Sequence, residues 1–324
     1  MTLKNLIPIK IKYIIKAIPS YIYDFHRFYK YSGQFALKNK KPLESKIIHD
    51  YHIIEKGLTM PETRLGFGKE KLLILIQNCK YYIKEFGYSS NQIKHAVKVI
   101  NEYRDFHKKE NYELDPNVLN SIHDLNQISN DNETTSQINT TANDYFSKAN
   151  ANFFEFAPTR KSIRNFSDKE LDVNRIVDSV NTARNAPSAC NRQTAKTYII
   201  TEKHEIENIL KLQGGNRGFG HLTNKLIIVV ADLNVFFDLN ERYQAYIDGG
   251  LFAMSLLYAL HANRIVACIL NCSHTSKKDI AMRKICPIKD NEVFIAMIAC
   301  GEAPDNFKVA ISCRNPVEEY INIS

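Results

Sequence analysis

Three polar side chains at alternate positions are the strongest chemical feature of this sequence. Arg160, Ser162 and Arg164 stand at spacing i, i+2 and i+4, which in an extended segment directs all three to one side. The planar guanidinium group of arginine suits phosphate and other delocalised anions. A second stretch, Ala186 to Gln193 (APSACNRQ), combines short hydrogen-bonding residues with a proline and predicts a rigid loop. Together the two stretches predict a site for a ligand with a phosphate at one end and a flat polar ring at the other.

These stretches carry a resemblance to the FMN-dependent nitroreductase family. TRKSIRNF (159–166) resembles the family's Arg-x-Ser-x-Arg-x-Phe signature, and APSACNRQTAKTYII (186–200) is similar to its Pro-Ser-x-x-Asn-x-Gln-Pro-Trp loop. Asp248-Gly249-Gly250 and the basic segment around Arg314 match further positions, so the resemblance extends over about residues 157–324. The sequence departs from the family at Thr194-Ala195-Lys196, where Pro-Trp is usual, and this departure concerns the ring-side pocket and therefore the substrate.

The resemblance implies roles for individual residues. Arg160, Ser162 and Arg314 are expected to hold the FMN phosphate and ribityl chain. Arg164 is expected near N1 and the C2 carbonyl of the flavin, where a cation stabilises the anionic reduced form. The loop at 187–191 is expected to reach the flavin of the neighbouring subunit, since the family's sites form at a dimer interface. The full predicted cofactor-binding set is Arg160, Lys161, Ser162, Arg164, Pro187, Ser188, Ala189, Asn191, Gln193, Asn216, Leu270, Asn271 and Arg314.

Two motifs admit a plainer interpretation. The loop GGNRGFG (214–220) follows a predicted helix and precedes a strand, the reverse of the order in a phosphate loop. It is either a mobile loop over a flat ligand, with Asn216 bonded to the flavin ring, or an ordinary connection. His49, His52 and Glu55 share one helix face, but three candidates without family support favour a hydrogen-bonded polar face over a metal site. No metal is therefore predicted.

Charge and composition bound the organisation of the chain. Of the net charge of +8, nearly all belongs to residues 1–50, where ten Lys or Arg face three acids. Residues 3–31, with Pro8 and Pro19, predict two short amphipathic helices. We expect them to pack on their own domain, and a weak contact of residues 1–45 with an anionic membrane surface is the alternative. Nucleic acid is not expected as a partner, because the basic run contains no binding module.

The chain is predicted to have two domains. Residues 126–144 (NQISNDNETTSQINTTAND) are almost wholly polar and cannot bury enough apolar surface to offset the entropy of ordering them. The predicted division is a mainly helical accessory domain with a basic start (1–125), a polar linker (126–150) and an FMN domain (151–324). In the accessory domain, helices are expected from Ser45 to Leu58, 71–86 and 91–107, and the loop 59–69 either reaches over a pocket or connects two helices.

The second half alternates helices and strands. Helices are predicted at 172–184, 204–212 and 241–262, the last one apolar enough to be buried all round against its own sheet and a second subunit. Strands are predicted at 197–201, 226–231, 266–270 and 293–299. Asp248, on the long helix, is expected to pair locally. The predicted fold class is α+β, a dimeric nitroreductase-like sheet flanked by helices and preceded by a mostly α-helical domain.

The predicted function is an FMN-dependent NAD(P)H oxidoreductase that passes two electrons to an electron-poor small molecule such as a nitro compound or a quinone. No catalytic side chain is predicted, because the flavin carries the redox chemistry. The alternatives are a dedicated biosynthetic flavin oxidoreductase and a non-catalytic flavin-fold protein at a membrane surface. The seven cysteines, mostly in apolar segments, favour reduced thiols in the cytoplasm.

Overall fold

The computed structural model describes residues 8–324, and its first part is a helical assembly. Ser90 and Asp115 cap two of the helices, each accepting a hydrogen bond from the backbone N–H two residues ahead. The helix Lys40–Leu58 packs against the helices Lys69–Phe86 and Asn91–Lys109. The apolar core between them includes Ile47, Ile54 and Tyr103. The helices are α1 (Ile9–Tyr31), α2 (Lys40–Leu58), α3 (Lys69–Phe86), α4 (Asn91–Lys109) and α5 (Pro116–Ser129).

Helix α1 differs from the sequence-based prediction in two ways. It is one helix with Pro19 inside it, and Pro8 stands just before its first residue. The chain tolerates Pro19 because the helix is exposed, so the carbonyl group that loses its partner remains open to water. The expected packing on its own domain is also wrong: of the described α1 side chains, Ala17 alone is buried. The prediction for residues 3–7 lies outside the described part of the chain.

The start of α2 also differs from the prediction. The helix begins at Lys40 after Asn39, so Ser45 lies within it and is not its cap. Pro42 is accommodated because the N–H groups of a first helical turn have no intrahelical partner. No helix within residues 8–324 is both long and apolar enough to cross a membrane.

The segment predicted as a polar linker, 126–150, contains regular structure. Helix α5 continues to Ser129, and strand β1 (Gln137–Thr141) pairs antiparallel with the last strand, β6 (Asn306–Ala310). Both polar contacts and apolar burial order this segment: the Ser136 N–H donates to Glu102 Oε2 at 2.8 Å, and Tyr145, Phe146 and Ala149 are buried in the core of the second half. The division of the chain into domains at this segment stays a prediction.

The second part is built around a four-stranded antiparallel sheet with the order β2-β3-β5-β4. The strands are β2 (Ala195–Ile200), β3 (Lys225–Asp232), β4 (Val266–Asn271) and β5 (Glu292–Gly301). The helices are α6 (Ala142–Tyr145), α7 (Phe153–Phe156), α8 (Val173–Ala183), α9 (Lys203–Gln213), α10 (Gln244–Ala262) and α11 (Ser276–Arg283). The predicted strands and the α+β class are confirmed, whereas β1 and β6 were not predicted.

Helix α10 packs on one face of the sheet at close range. A Cβ atom at Gly249 would lie 2.5 Å from the Ile295 side chain, so this position requires glycine. The helix starts at Gln244, three residues later than predicted, because a short turn with a capping box at Asp238 precedes it. It is not buried all round within one chain, and its exposed side chains are Tyr246, Ile247, Leu251 and Met254.

Candidate functional site

Residues 160–164 run along the edge strand of the sheet. The Ile163 N–H donates to the Ala267 carbonyl of β4 at 3.0 Å, and the Ile163 side chain is buried. Because successive side chains of such a segment alternate, the burial of Ile163 leaves Ser162 and Arg164 on the other side. Ser162 and Arg164 therefore lie on the side away from the core, and the binding role of this set stays a prediction.

A cavity of about 270 Å³ lies beside this segment. Three parts of the chain form it: the 160–164 segment, the turn after β6, and the face of α2 and α4. Its lining residues are Ile48, Tyr51, His52, Glu55, Gln92, Arg160, Lys161, Ser162, Arg164, Ser312, Cys313 and Arg314. Five residues of the predicted cofactor set therefore share one cavity, and the helical first part of the chain supplies the opposite wall.

The cavity carries a net positive charge, because four cations line it together with the single carboxylate of Glu55. Within residues 8–324, no carboxylate forms an ion pair, at a limit of 4.0 Å, with Arg160, Lys161, Arg164 or Arg314. Burial, together with the positive charges of Arg314 and Arg160, lowers the pKa of Lys161. A lysine whose pKa is lowered by neighbouring cations is stabilised in its charged form when an anion binds beside it. The arrangement therefore favours a ligand with a phosphate group.

Lys56 of α2 extends the positive region. Its ammonium donates to the Gly215 carbonyl at 3.3 Å, and burial, Arg164 and Arg217 lower its pKa. Sequence reasoning did not include Lys56 in the site, because nothing in its local sequence indicates that α2 lies against the 160–164 segment. The loop after α2 makes the same connection, since the buried Met60 belongs to the hydrophobic core of the second half. The loop 59–69 thus joins two helices and also contacts the other part of the chain.

Glu55 is the acidic group at this cavity. Its carboxylate is fully buried, lies 2.9 Å from His95 Nε2 and accepts a hydrogen bond from the Ser312 N–H at 3.2 Å. Burial opposes ionisation, but His52, His95 and the Ser312 N–H outweigh it and lower the pKa of Glu55 to about 2. His49 lies 3.0 Å from Asp50 instead. Among the described residues, no group of three potential ligands is arranged for a metal ion.

The loop at 187–193 lines a different cavity, of about 130 Å³. Buried Asp248 of α10 accepts a hydrogen bond from the Gln244 amide of its own helix at 2.7 Å, which agrees with its expected local role, and also one from the Ala189 N–H of the loop at 3.1 Å. The loop contains three non-glycine residues with positive φ, Cys190, Asn191 and Gln193, a strained conformation that is frequent at functional sites. Pro187, Ser188 and Gln193 line this second cavity, so one chain does not bring them to the arginine cavity.

Two further predicted residues, Asn216 and Asn271, meet at Gln213, which the sequence analysis did not identify. The Asn216 side-chain N–H donates to Gln213 Oε1 at 3.1 Å, and the Gln213 amide donates to the Asn271 carbonyl at 3.0 Å. Leu270 is buried within β4. The 214–220 loop runs from α9 to β3, as predicted, and a Cβ at Gly218 would contact Met60 Sδ at 3.3 Å.

Comparison with known proteins gives a match for the same region. The family model described as Nitroreductase family matches residues 157–216. This match confirms the resemblance recognised in the sequence, and it supports the expectation of an FMN-dependent oxidoreductase. No curated protein matches the chain.

Several solved structures are similar to about half of this chain. A nitroreductase-like protein from Streptococcus mutans is 19% identical, with a TM-score of 0.47 over 53% of this chain and 98% of the other. A putative NADH oxidase from Clostridium acetobutylicum is 18% identical, with a TM-score of 0.46 over 52% and 98%. A putative nitroreductase from Desulfovibrio desulfuricans, solved in complex with FMN, is 20% identical, with a TM-score of 0.43 over 53% and 95%.

Proposed function

We propose that this protein is an FMN-dependent oxidoreductase that takes two electrons from NADH or NADPH and passes them to an electron-poor small molecule. One observation carries the proposal: four cations that form no ion pair within residues 8–324 share one cavity with a serine, within and beside the region that matches the nitroreductase model. When bound, the flavin supplies the redox chemistry, and the protein binds and orients it.

The residues of the cavity fit the phosphate and ribityl end of FMN. Drug-sized ligands occupy pockets of about 300–1,000 Å³, so a cavity of about 270 Å³ suits part of FMN and not the whole molecule. We assign Arg160, Lys161, Ser162 and Arg314 to the phosphate and the ribityl chain. Arg164, near Cys268 and Lys56, is assigned to the flavin ring, where its charge favours the anionic reduced form.

We further propose a homodimer in which the loop at 187–193 of one copy completes the flavin site of the other. The separation of this loop from the arginine cavity and the exposed apolar side of α10 support that arrangement. Ala189, Asn191 and Gln193 then contact the neighbour's cofactor, while Asn216, Leu270 and Asn271 contact the ring in their own subunit. Light scattering after size-exclusion chromatography measures the mass, and a single-copy mass would contradict this part of the proposal.

The test of the reaction is an anaerobic titration of the FMN-loaded protein with NADH and with NADPH. Loss of flavin absorbance at one equivalent of nucleotide is the expected result, followed by recovery of absorbance when a quinone or a nitroaromatic is added. A bound flavin that neither nucleotide reduces would contradict the proposed activity while leaving the cofactor assignment intact. Seven free cysteines, of which five are buried, fit a reducing compartment such as the cytoplasm.

A dedicated biosynthetic role is the second candidate, and one local feature favours it. Where the family usually has Pro-Trp, Thr194 is buried and donates to the Asp232 carbonyl at 2.9 Å, and Lys196 donates to the Asp232 carboxylate at 2.8 Å. The ring-side surface therefore has polar groups committed to the sheet in place of an indole. A dedicated enzyme is expected to turn over nitroaromatics and quinones poorly under steady-state conditions, and rapid turnover of several unrelated acceptors would exclude it.

Helix α1 supports a contact with an anionic membrane surface, with or without catalysis. Asp24 holds the helix to the second part through Arg242 (2.9 Å) and Tyr243 (2.6 Å). The opposite side of α1 carries large apolar side chains at helical spacing, with lysines along one flank. The exposed apolar residues of that side are Ile11, Ile14, Ile15, Ile18, Ile22, Phe25 and Tyr29.

Co-sedimentation of the full-length protein with vesicles tests this contact. Binding to anionic vesicles is expected at low salt, with weaker binding to neutral vesicles and at high salt. The double change Ile18→Glu and Ile22→Glu should abolish binding, and Ile74→Glu and Leu119→Glu, at exposed apolar positions on α3 and α5, form the matched control. Failure of the unmodified protein to bind anionic vesicles at low salt would remove the proposal.

A further inference from the structure

One oxygen atom at the arginine cavity lacks a hydrogen-bond partner. Glu55 Oε2 is buried and unpartnered, whereas Oε1 of the same carboxylate accepts a hydrogen bond from the Ser312 N–H and lies 2.9 Å from His95. His52 Nδ1 is 3.7 Å from Oε2, within ion-pair distance but too far for a hydrogen bond. A buried carboxylate oxygen without a donor is costly, and the large majority of buried polar atoms in native proteins have a hydrogen-bond partner.

The other polar groups on the same wall do not share this feature. The Tyr51 hydroxyl donates to Gln92 Oε1 at 2.6 Å, and the Gln92 amide donates to the Cys313 carbonyl at 3.4 Å. These contacts hold α2, α4 and the turn after β6 together. Glu55 Oε2 is thus the buried acceptor of this wall that has no donor within hydrogen-bond distance among the described residues.

We infer that Glu55 Oε2 accepts a hydrogen bond from a hydroxyl group of the bound ligand, so that the helical first part of the chain forms part of the cofactor site. The inference rests on the proposed function, under which the hydroxyl belongs to the ribityl chain of FMN. It assigns to α2 a positioning role that the resemblance, confined to about residues 157–324, does not include.

The charges around Glu55 Oε2 favour a neutral hydroxyl group, and not a phosphate or an ammonium group, as its partner. A phosphate next to Glu55 would face an ionised carboxylate, because the histidine rings and the Ser312 N–H keep Glu55 negatively charged. An ammonium donor would be repelled by Arg160, Lys161, Arg164 and Arg314, which line the same cavity. A neutral donor fits both constraints. The cations then hold the phosphate, Glu55 holds the polyol, and the two together fix the direction in which the ligand enters.

Glu55→Gln tests the inference because it replaces a charged acceptor with a neutral amide and so removes the charge-assisted hydrogen bond from the ligand hydroxyl. The Ser312 N–H requires an acceptor, so the amide oxygen of the substituted side chain takes the place of Oε1 and its NH₂ group replaces Oε2. Flavin fluorescence titration of the full-length apoprotein should give roughly tenfold to a hundredfold weaker binding of both FMN and riboflavin. Inorganic phosphate should bind Glu55→Gln at least as tightly as the unmodified protein, because the substitution removes a negative charge from the cavity and leaves the cations in place.

Glu44→Gln is the matched control on the same helix. Glu44 is nearly as buried as Glu55, but it contacts Ser90 and Tyr82 and lines a different cavity. Thermal unfolding of both variants identifies any general loss of folding. If Glu55→Gln does not fold, Glu55→Asp takes its place. This change keeps the charge but shortens the side chain by one methylene, and it is also expected to weaken the binding of FMN and of riboflavin.

Each result separates the role of Glu55 from the proposed function. In one outcome the unmodified protein binds FMN, and the FMN affinity of Glu55→Gln is unchanged or falls no more than that of Glu44→Gln. That outcome overturns the role of Glu55 and leaves the proposed function standing. Weakening of FMN without weakening of riboflavin would place Glu55 at the phosphate and also overturn the inference. Unmodified protein that binds neither flavin overturns both.

Discussion

The role of Arg314 gives a sharp test of the phosphate assignment. Arg314 is exposed, lines the arginine cavity, forms no ion pair within the described residues and helps to lower the pKa of Lys161. A surface substitution of this kind usually changes stability by no more than about 0.5 kcal/mol. Arg314→Gln therefore removes a cation from the site with little effect on folding, and any change in binding reports on the ligand.

The magnitude follows from the kind of contact that is lost. A hydrogen bond to a charged group contributes about 1.5–3 kcal/mol, which corresponds to roughly a tenfold to hundredfold increase in the Kd for FMN. Riboflavin lacks the phosphate, so its Kd should stay within about twofold. The increase in the Kd for FMN caused by Arg314→Gln should also be smaller at high salt, because Arg314 is exposed and its charge is screened.

Isothermal or fluorescence titration of the full-length apoprotein with both flavins measures these effects. Arg64→Gln is the control, since Arg64 is an exposed arginine in the α2–α3 loop and is not among the residues lining the cavity. Equal FMN affinities for Arg314→Gln and Arg64→Gln, or an equal loss for riboflavin and FMN, would refute the assignment of Arg314 to the phosphate.

Three further predictions follow from named contacts. Arg164→Ala should weaken FMN retention or make the bound flavin harder to reduce, measured by dialysis and by spectroelectrochemistry, and unchanged values for both would show that Arg164 does not contact the ring. Because the pKa of Glu55 is lowered from 4.5 to about 2, its contribution to stability is complete above pH 4.5 and is lost as the pH falls from there toward 2. This contribution amounts to about 3 kcal/mol at most. Between pH 6 and pH 3.5, the free energy of unfolding measured in urea should therefore fall less for Glu55→Gln than for Glu44→Gln. Equal decreases would contradict the ionised state of Glu55. Gly249→Ala should lower the free energy of unfolding by about 1–3 kcal/mol, since its Cβ would lie 2.5 Å from Ile295. The control is Gly250→Ala, because nothing lies within 4 Å of a Cβ at that position. Equal Tm values for the two variants would contradict the close packing of α10.

Much of the second half was predictable because its signals are local. The apolar run of β3 is buried along nearly its whole length, as a β-branched segment of that kind indicates. Arg160, Ser162 and Arg164 were predicted to share a side from their spacing alone, and the burial of Ile163 between them agrees. Helices with their own apolar periodicity were predicted to within about two residues in both halves of the chain. They are α3 and α4 in the first half and α8 and α9 in the second.

The parts that were missed depend on contacts distant in sequence. Strand β1 is polar and exists by pairing with β6, more than 160 residues later. Glu55 and Lys56 join the site because α2 lies against the 160–164 segment and the turn after β6, which no local pattern encodes. Helix α1 continues through Pro19 because its exposed position lets water bond the freed carbonyl.

The most direct test of the central claim is a comparison of FMN and riboflavin binding by the unmodified full-length protein at low and high salt. The cation cluster predicts a protein that is yellow as purified or takes up FMN stoichiometrically, and that binds FMN at least about tenfold more tightly than riboflavin at low salt. A colourless protein that refuses added FMN, or one that binds both flavins equally, would contradict the assignment of Arg160, Lys161, Ser162 and Arg314 to a flavin phosphate.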